Sequence, residues 1–345
     1  MSIVNGSEKL IDYSRSGKPR DWTKKKQQSR SLASVFRECS ERAESDAIED
    51  KYKGKYLRTL TCGNELLFGV DSNNHKELVG ANFCKERLCP MCSWRRSRKN
   101  AMRLYKALEE FDLNKYRPVL LTLTIPNCQG EDLRDTLKEL TRSFNRLSKY
   151  KAFKNATVGF WRSTEITRNK KDGTYHPHLH VLLLMQSGYF SKDKDIYLTQ
   201  VDWTKLWQRA SKSLGGAIVD VRPVRKGGLQ GAVAEVSKYI TKSDDYLTGL
   251  NLDEMCEVVE LLNVQIAGLR FEGSGGIIKA RLHELYGADI ISDDDDLLGD
   301  DELPDDIKIV MYVYDGNDYI LYKELTRAEW QAYRESRRSR TRAPV

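Results

Sequence analysis

The sequence predicts an α+β fold, in which helices flank a mainly antiparallel sheet and a small cysteine-containing module comes first. Between residues 117 and 242 the patterns typical of strands and helices follow one another as βαββαβα. The two consecutive strands are separated only by the turn NKKDG (169–173), which predicts a hairpin. Ahead of these strands, three closely spaced cysteines indicate a separate module.

Charge and hydropathy limit the class of protein. The 345 residues include 57 basic and 50 acidic side chains, for a net charge of +7. Because residues 289–306 are strongly acidic, the rest of the chain is more basic than this figure suggests, which favours a nucleic-acid partner over an ordinary charged surface. The N-terminus has no signal-peptide pattern and no segment reads as a membrane span, so we expect a cytoplasmic protein with reduced thiols and no membrane partner.

The N-terminal region, residues 1–55, reads as a basic arm followed by a helix. The arm carries the basic patch 18–30, and residues 30–50 have the apolar spacing of an amphipathic helix. Such an arm is usually a solvated terminus, but it also suits a phosphate backbone.

The cysteine module, residues 56–115, contains Cys84, Cys89 and Cys92 in the pattern C-x4-C-x2-C. Two thiolates from one tight turn fit adjacent positions of a tetrahedral ion, so the spacing favours structural zinc over three unrelated buried thiols. Cys62 is the first choice for the fourth ligand and His75 the second. The arginine-rich run 93–100 then opens a helix, which is either a DNA-contacting or a solvated face.

The third region, residues 116–250, contains the predicted sheet, and the stretch TYHPHLHVLLLM (174–185) dominates it. His178 and His180 are two apart and therefore share a face of a strand, and His176 can join them. Converging imidazoles favour a metal site over exposed or core histidines. In the preceding strand, 156–167, Glu165 is expected to lie beside them as a third ligand for a divalent ion, the alternative being a solvent-facing glutamate.

A second polar cluster follows in residues 226–247, which run from a glycine-rich turn into a predicted helix that ends at Asp244 and Asp245. Glu235, Lys238, Tyr239 and Lys242 are spaced so that neighbours share one helical face. A tyrosine flanked by a lysine and a carboxylate is suited to nucleophilic attack, since the lysine stabilises the phenolate and the carboxylate accepts a proton. The simpler alternative is a half-buried tyrosine of an amphipathic helix.

The C-terminal region, residues 251–345, has a different character. It begins with a helical pattern and a glycine-rich segment, and the acidic stretch then predicts a disordered linker. Residues 307–325 alternate around Asp-Gly and predict a β-hairpin. The arginine-rich tail is expected to be mobile.

These motifs together resemble the HUH endonuclease superfamily, and within it the single-tyrosine replication initiators of rolling-circle plasmids. In that pattern an apolar-threonine strand comes first (here LLTLT, 120–124), then His-hydrophobic-His (His178 to His180), then a helix with the tyrosine (Tyr239). Relaxases have the reverse order. The cysteine motif followed by arginines also matches one branch of these initiators, and the resemblance covers roughly residues 56–245.

The resemblance implies an HUH/RRM-like catalytic core in which Tyr239 attacks single-stranded origin DNA, keeps the 5′ phosphate and releases a 3′ hydroxyl. It implies Mn²⁺ or Mg²⁺ held by His178, His180 and Glu165. It also implies that Glu235 activates water for the terminating cleavage. The implied partners are single-stranded and double-stranded origin DNA, together with a host helicase and polymerase.

Two alternatives remain open from the sequence. An HUH transposase would use the same chemistry, although the small single-tyrosine transposases are shorter and lack a zinc module. A non-catalytic, zinc-dependent DNA-binding regulator would use the histidines structurally and would have no need of the tyrosine cluster.

Overall fold

The computed structural model describes residues 8–14, 17–191, 195–211, 214–215, 218–225, 227–238, 246–287 and 306–342, with side chains in the last helix described up to 336. The described helices are α1 (Trp22–Glu41), α2 (Asp46–Thr61), α3 (Pro90–Glu109), α4 (Leu133–Leu147), α5 (Lys151–Ala156), α6 (Gln200–Ala210), α7 (Leu229–Val236), α8 (Leu252–Gln265), α9 (Gly276–Tyr286) and α10 (Arg327–Arg342). The described strands are β1 (Glu65–Val70), β2 (Lys76–Ala81), β3 (Pro118–Thr124), β4 (Thr157–Arg168), β5 (Tyr175–Met185), β6 (Ile218–Pro223), β7 (Glu272–Gly275), β8 (Lys308–Tyr314) and β9 (Tyr319–Leu325).

The chain forms two compact units. The first combines residues 1–94 with 296–345, and the second contains residues 95–295. This division falls at other positions than the four ranges predicted from the sequence. Each unit has its own antiparallel sheet, so the predicted α+β class with mainly antiparallel strands is confirmed.

The sheet of the second unit has the strand order β6-β3-β5-β4-β7. Strands β4 and β5 pair along nearly their whole length, which confirms the predicted hairpin. One face of the sheet, with Val181 and Leu183, is buried against α4 and α6, where Phe144, Trp203 and Trp207 fill the interface. Burial of this many large apolar side chains, each contributing about 1.5–3 kcal/mol, fixes the register of β5 and therefore the direction of its histidines.

The opposite face of the same sheet is covered by three other helices. Trp161 and Leu182 pack there against Leu104 of α3, Val233 of α7 and Ile278 of α9. Because side chains alternate along a strand, the histidines at even positions of β5 share this face with Leu182 and lie nearer the start of the strand.

The first unit is built around the sheet β2-β1-β8-β9. The predicted hairpin over 307–325 is confirmed as β8 and β9, and β8 pairs with β1. On one side Trp22 of α1 contacts Phe68 and Trp94 in edge-to-face geometry, and Phe68 contacts Tyr312 in the same way. Strands from both ends of the chain thus share one core.

Several boundaries differ from the sequence prediction. The region predicted as one helix over 30–50 contains the end of α1 and the start of α2, with Ser45 at the break. Cys62 lies at the C-terminal cap of α2. Helix α7 ends at Val236, before Lys238, and residues 239–245 lie outside the described part of the chain.

Three C-terminal elements were not predicted. The glycine-rich segment forms strand β7, whose pairing with β4 compensates for the low strand propensity of glycine, and helix α9 follows it. The tail expected to be mobile forms α10, because Trp330 is buried and Thr326 and Glu329 cap each other's backbone amides. The acidic stretch, apart from residue 306, lies outside the described residues. Among the described helices, none has the length and hydropathy of a membrane span.

Candidate metal centres

The first candidate centre is a triad of Glu165, His178 and His180 in the second unit. In the β4–β5 register Glu165 lies directly opposite His178. The carboxylate Oε2 of Glu165 is 2.8 Å from Nε2 of His180 and 3.3 Å from Nε2 of His178. Adjacent antiparallel strands therefore bring the two imidazoles and the carboxylate together, with their ligand atoms within 4.8 Å of one another.

Outer contacts orient both imidazoles. Nδ1 of His178 lies 3.2 Å from the backbone oxygen of His176, and Nδ1 of His180 lies 3.5 Å from Oε1 of Glu235. Contacts at Nδ1 set the orientation of each ring and leave Nε2 on the side of Glu165, which is the usual arrangement around metal-binding histidines. The Nε2 atoms of His178 and His180 therefore both point towards the carboxylate of Glu165.

The environment keeps Glu165 ionised. Burial by itself would raise the pKa of this carboxyl group, but hydrogen bonds from His178 and His180 lower it well below its usual range. A buried carboxylate beside two imidazoles has the donor set of a two-histidine, one-carboxylate centre, which leaves further coordination positions open. The residues therefore fit a divalent ion.

The predicted nucleophile cluster is described only in part. Glu235 lies in the last turn of α7, and its Oε1 accepts a hydrogen bond from Nζ of Lys238 at 2.5 Å. Tyr239 and Lys242 lie outside the described residues. Because α7 ends at Val236, Lys238 lies beyond the helix and does not share a helical face with Glu235.

His176 lies beside the triad. Its ring centroid is 5.2 Å from that of His178, but it does not belong to the group of converging ligand atoms. Burial, followed by the nearby His178, lowers the pKa of His176. The structure thus places His176 where its backbone oxygen orients His178, while its ring stays outside the triad.

The second candidate centre is the cysteine cluster in the first unit, formed by Cys62, Cys84, Cys89 and Cys92. The Sγ atom of Cys92 is 3.5 Å from that of Cys62 and 3.6 Å from that of Cys84, and Cys89 Sγ is 3.7 Å from Cys62 Sγ. Sulfur atoms about 2.3 Å from a tetrahedral zinc ion are about 3.8 Å apart, so the four thiols fit such an ion. His75, the second choice for the fourth ligand, is not in the cluster.

The cysteine cluster is enclosed by polar groups of α1 and by its own backbone. Ser29 Oγ lies 3.3 Å from Sγ of Cys89, and the backbone N–H of Cys84 donates to Sγ of Cys62 at 3.3 Å. Lys26 is fully buried, and its Nζ donates to the backbone oxygens of Leu60 and Cys62 at 2.7 and 2.9 Å. Burial lowers the pKa of this ammonium to about 8.

Sequence reasoning missed Lys26 and Ser29, although the pattern carried a signal. They are three residues apart and lie on the same side of α1 as the buried Trp22 and Ala33. A lysine on the apolar face of an amphipathic helix requires a buried partner. The sequence alone did not indicate that this partner is the segment around Cys62.

Comparisons with known proteins identify relatives over most of the chain. A family model described as a replication protein, Rep_1, matches residues 75–320. A "Protein rep" from Streptococcus pneumoniae serotype 2 is 35% identical over 89% of this chain and 93% of that protein. The "Protein rep" of Bacillus amyloliquefaciens is 35% identical over 93% and 99% of the two chains, and that of Lactiplantibacillus plantarum is 36% identical over 86% and 92%. No solved structure gives a significant match.

Fold and sites define an α+β protein with a histidine–carboxylate centre on one sheet and a four-cysteine centre beside the other. The chain belongs to the replication protein family Rep_1. The family predicted from its motifs, that of plasmid rolling-circle replication proteins, is thereby confirmed.

Proposed function

We propose that the protein initiates rolling-circle replication by nicking and later rejoining single-stranded DNA at a plasmid origin, in the cytoplasm. The observation that carries this proposal is the convergence of Glu165, His178 and His180 on one sheet face, with Glu235 against His180, in a member of a replication protein family. A replication protein that only bound DNA would have no need of buried metal ligands that leave coordination positions open.

In the proposed reaction the phenol oxygen of Tyr239 attacks the scissile phosphorus. A P–O bond to tyrosine forms, the bond to the 3′ oxygen breaks, and the released strand carries a 3′ hydroxyl for priming. Glu235 is suited to accept the phenol proton in this step or a water proton in the terminating cleavage, and Lys238 holds its carboxylate in place. Transfer to tyrosine conserves the phosphodiester energy, so rejoining needs no nucleotide.

The triad is suited to hold Mn²⁺ or Mg²⁺, which would polarise the scissile phosphate. His178 and His180 would bind through Nε2, since their Nδ1 atoms face His176 and Glu235. Glu165 would supply a carboxylate oxygen whose low pKa keeps it ionised throughout the neutral range. Lys242 would stabilise the phenolate of Tyr239.

We further propose that the cysteine cluster holds structural zinc. Four thiols at tetrahedral spacing, enclosed by α1 and α2, fit a closed site without an open position for substrate. The basic arm and the arginine-rich start of α3 would contact the double-stranded origin, and a host helicase and polymerase would extend the released 3′ end.

The nicking proposal is tested with labelled single-stranded oligonucleotides that cover the encoding plasmid, incubated with the full chain and Mn²⁺. We expect a covalent protein–DNA adduct on a denaturing gel with the wild type, and none with Tyr239→Phe. Tyr246→Phe is a matched control, because this nearby tyrosine is buried and is expected to keep the adduct.

The outcomes separate the alternatives. Loss of the adduct in Tyr246→Phe but not in Tyr239→Phe would identify Tyr246 as the nucleophile in place of Tyr239. No adduct with any oligonucleotide or divalent metal, combined with intact duplex binding, would favour a non-catalytic regulator. Strand transfer into unrelated DNA without rejoining of the origin would favour a transposase.

A further inference from the structure

The surroundings of the cysteine cluster raise a problem of charge. Four thiolates around Zn²⁺ leave two net negative charges, and three of the four cysteines are completely buried. Buried charge is costly unless it is hydrogen-bonded or paired. The cluster therefore requires compensation from the residues that enclose it.

Part of this compensation comes from neutral donors. The backbone amide of Cys84 reaches Cys62, and the hydroxyls of Ser29 and Thr59 lie 3.3 and 3.9 Å from the sulfur atoms of Cys89 and Cys84. Hydrogen bonds of this kind stabilise thiolates, but they add no net positive charge.

Lys26 adds a full positive charge. Its side chain is completely buried, and its ammonium donates to two backbone oxygens at the end of α2, one of which belongs to Cys62. The ring of Tyr314 from β8 lies 5.6 Å from Nζ and closes the other side. The carbonyl groups alone do not pair this charge, because they are neutral.

We propose that Lys26 is a positioning residue of the cysteine cluster, which offsets the negative charge of the metal-loaded thiolates and thereby sets their affinity for zinc. This inference rests on the proposal that the cluster holds zinc. It assigns a role to α1, which lies entirely outside the matched range 75–320. The competing explanation is that Lys26 only caps the last carbonyls of α2.

The test measures zinc affinity of the full-length chain by competition with a chromophoric chelator. Lys26→Met keeps an unbranched side chain, one atom shorter, and removes the charge, and we expect zinc to bind about 10- to 100-fold more weakly, as for loss of other outer-shell partners. Lys26→Arg keeps the charge and is expected to stay within about threefold of the wild type. Lys25→Met is the matched control, because Lys25 is only half-buried and bonds to Gln28.

Cobalt gives a readout that a purely structural role would not change. Positive charge near a thiolate stabilises its lone pairs, so removal of the charge should move the sulfur-to-cobalt charge-transfer band to lower energy in Lys26→Met. The band should keep its position in Lys25→Met. Should Lys26→Met fold poorly, Lys26→Gln replaces it, because glutamine keeps hydrogen-bond donors for the carbonyl oxygens of Leu60 and Cys62 but carries no charge.

Each result has one meaning. A wild-type chain that takes up neither zinc nor cobalt would overturn the zinc proposal and this inference with it. If the wild type binds zinc, the zinc proposal stands. The inference about Lys26 can then still fail in either of two cases. These are a Lys26→Met variant with wild-type affinity and an unshifted cobalt band, or a Lys26→Arg variant as weak as Lys26→Met.

Discussion

Replacement of Trp330 by alanine tests whether the C-terminal helix is part of the first unit's core. Trp330 lies in α10, is 5% exposed, and packs in one cluster with Leu67, Val79, Ile309 and Met311. Its indole N–H donates to the backbone oxygen of Val79 at 3.3 Å. The side chain therefore joins the last helix to strands from both ends of the chain.

The magnitude follows from this burial. Truncation of a buried tryptophan to alanine costs about 3–5 kcal/mol, because transfer energy is lost and a cavity remains. Domains of this kind have a free energy of unfolding of about 5–15 kcal/mol, so Trp330→Ala should remove a large part of the first unit's stability.

Urea unfolding followed by circular dichroism, together with zinc release to a chelator, measures this loss. The control is Tyr322→Ala, since Tyr322 is 54% exposed on neighbouring β9 and should change stability by less than about 0.5 kcal/mol. A loss below about 1 kcal/mol in Trp330→Ala, or an equal loss in both variants, would refute the packing argument.

Three further predictions concern the triad, the stability of the fold at alkaline pH and a pair of glycines. Glu165→Gln should keep the fold but weaken Mn²⁺ binding, measured by calorimetry, by more than about tenfold and abolish adduct formation; unchanged Mn²⁺ affinity would remove this residue from the ligand set. Burial raises the pKa of Tyr312 to about 12, so its contribution should be complete below pH 10 and be lost between 10 and 12. The free energy of unfolding should therefore fall less over this range in Tyr312→Phe than in the wild type, by about 2–3 kcal/mol, and an identical fall in both would contradict the assignment. Gly276→Ala should lower the melting temperature clearly more than Gly268→Ala, because both have positive φ but only at Gly276 would a Cβ meet a backbone oxygen, that of Val158, at 2.0 Å; equal shifts would argue against this contact.

The core elements of the second unit were predictable because their signals are local. Apolar periodicity predicts helices within residues 131–151 and 199–214, where α4 and α6 lie, and the turn at 169–173 predicts the β4–β5 hairpin. The histidine pair followed from strand periodicity alone. The sequence predicts that Glu165 lies near the histidines but does not determine its position directly opposite His178, because pairing register depends on the packing of the whole sheet.

What the sequence could not show depends on contacts between distant segments. Strand β7 consists of Glu-Gly-Ser-Gly and is held by its pairing with β4 rather than by its own propensity. Helix α10 was not predicted, because its arginine-rich sequence indicated a mobile tail. The capping pair Thr326 and Glu329 nevertheless marks the start of the helix in the sequence. The pairing of β1 with β8 has no local signal at all.

That pairing has a consequence for biosynthesis. The hydroxyl of Tyr319 donates to the backbone oxygen of Gly63, next to Cys62 and 256 residues earlier in the chain. A ribosome therefore exposes all four clustered cysteines long before it has made the strands that complete their sheet. The second unit is contiguous in the sequence and can fold while synthesis continues, whereas the first unit must wait for the C-terminus. The part of the protein that is started first is thus finished last, and its four clustered thiols are made long before strands β8 and β9.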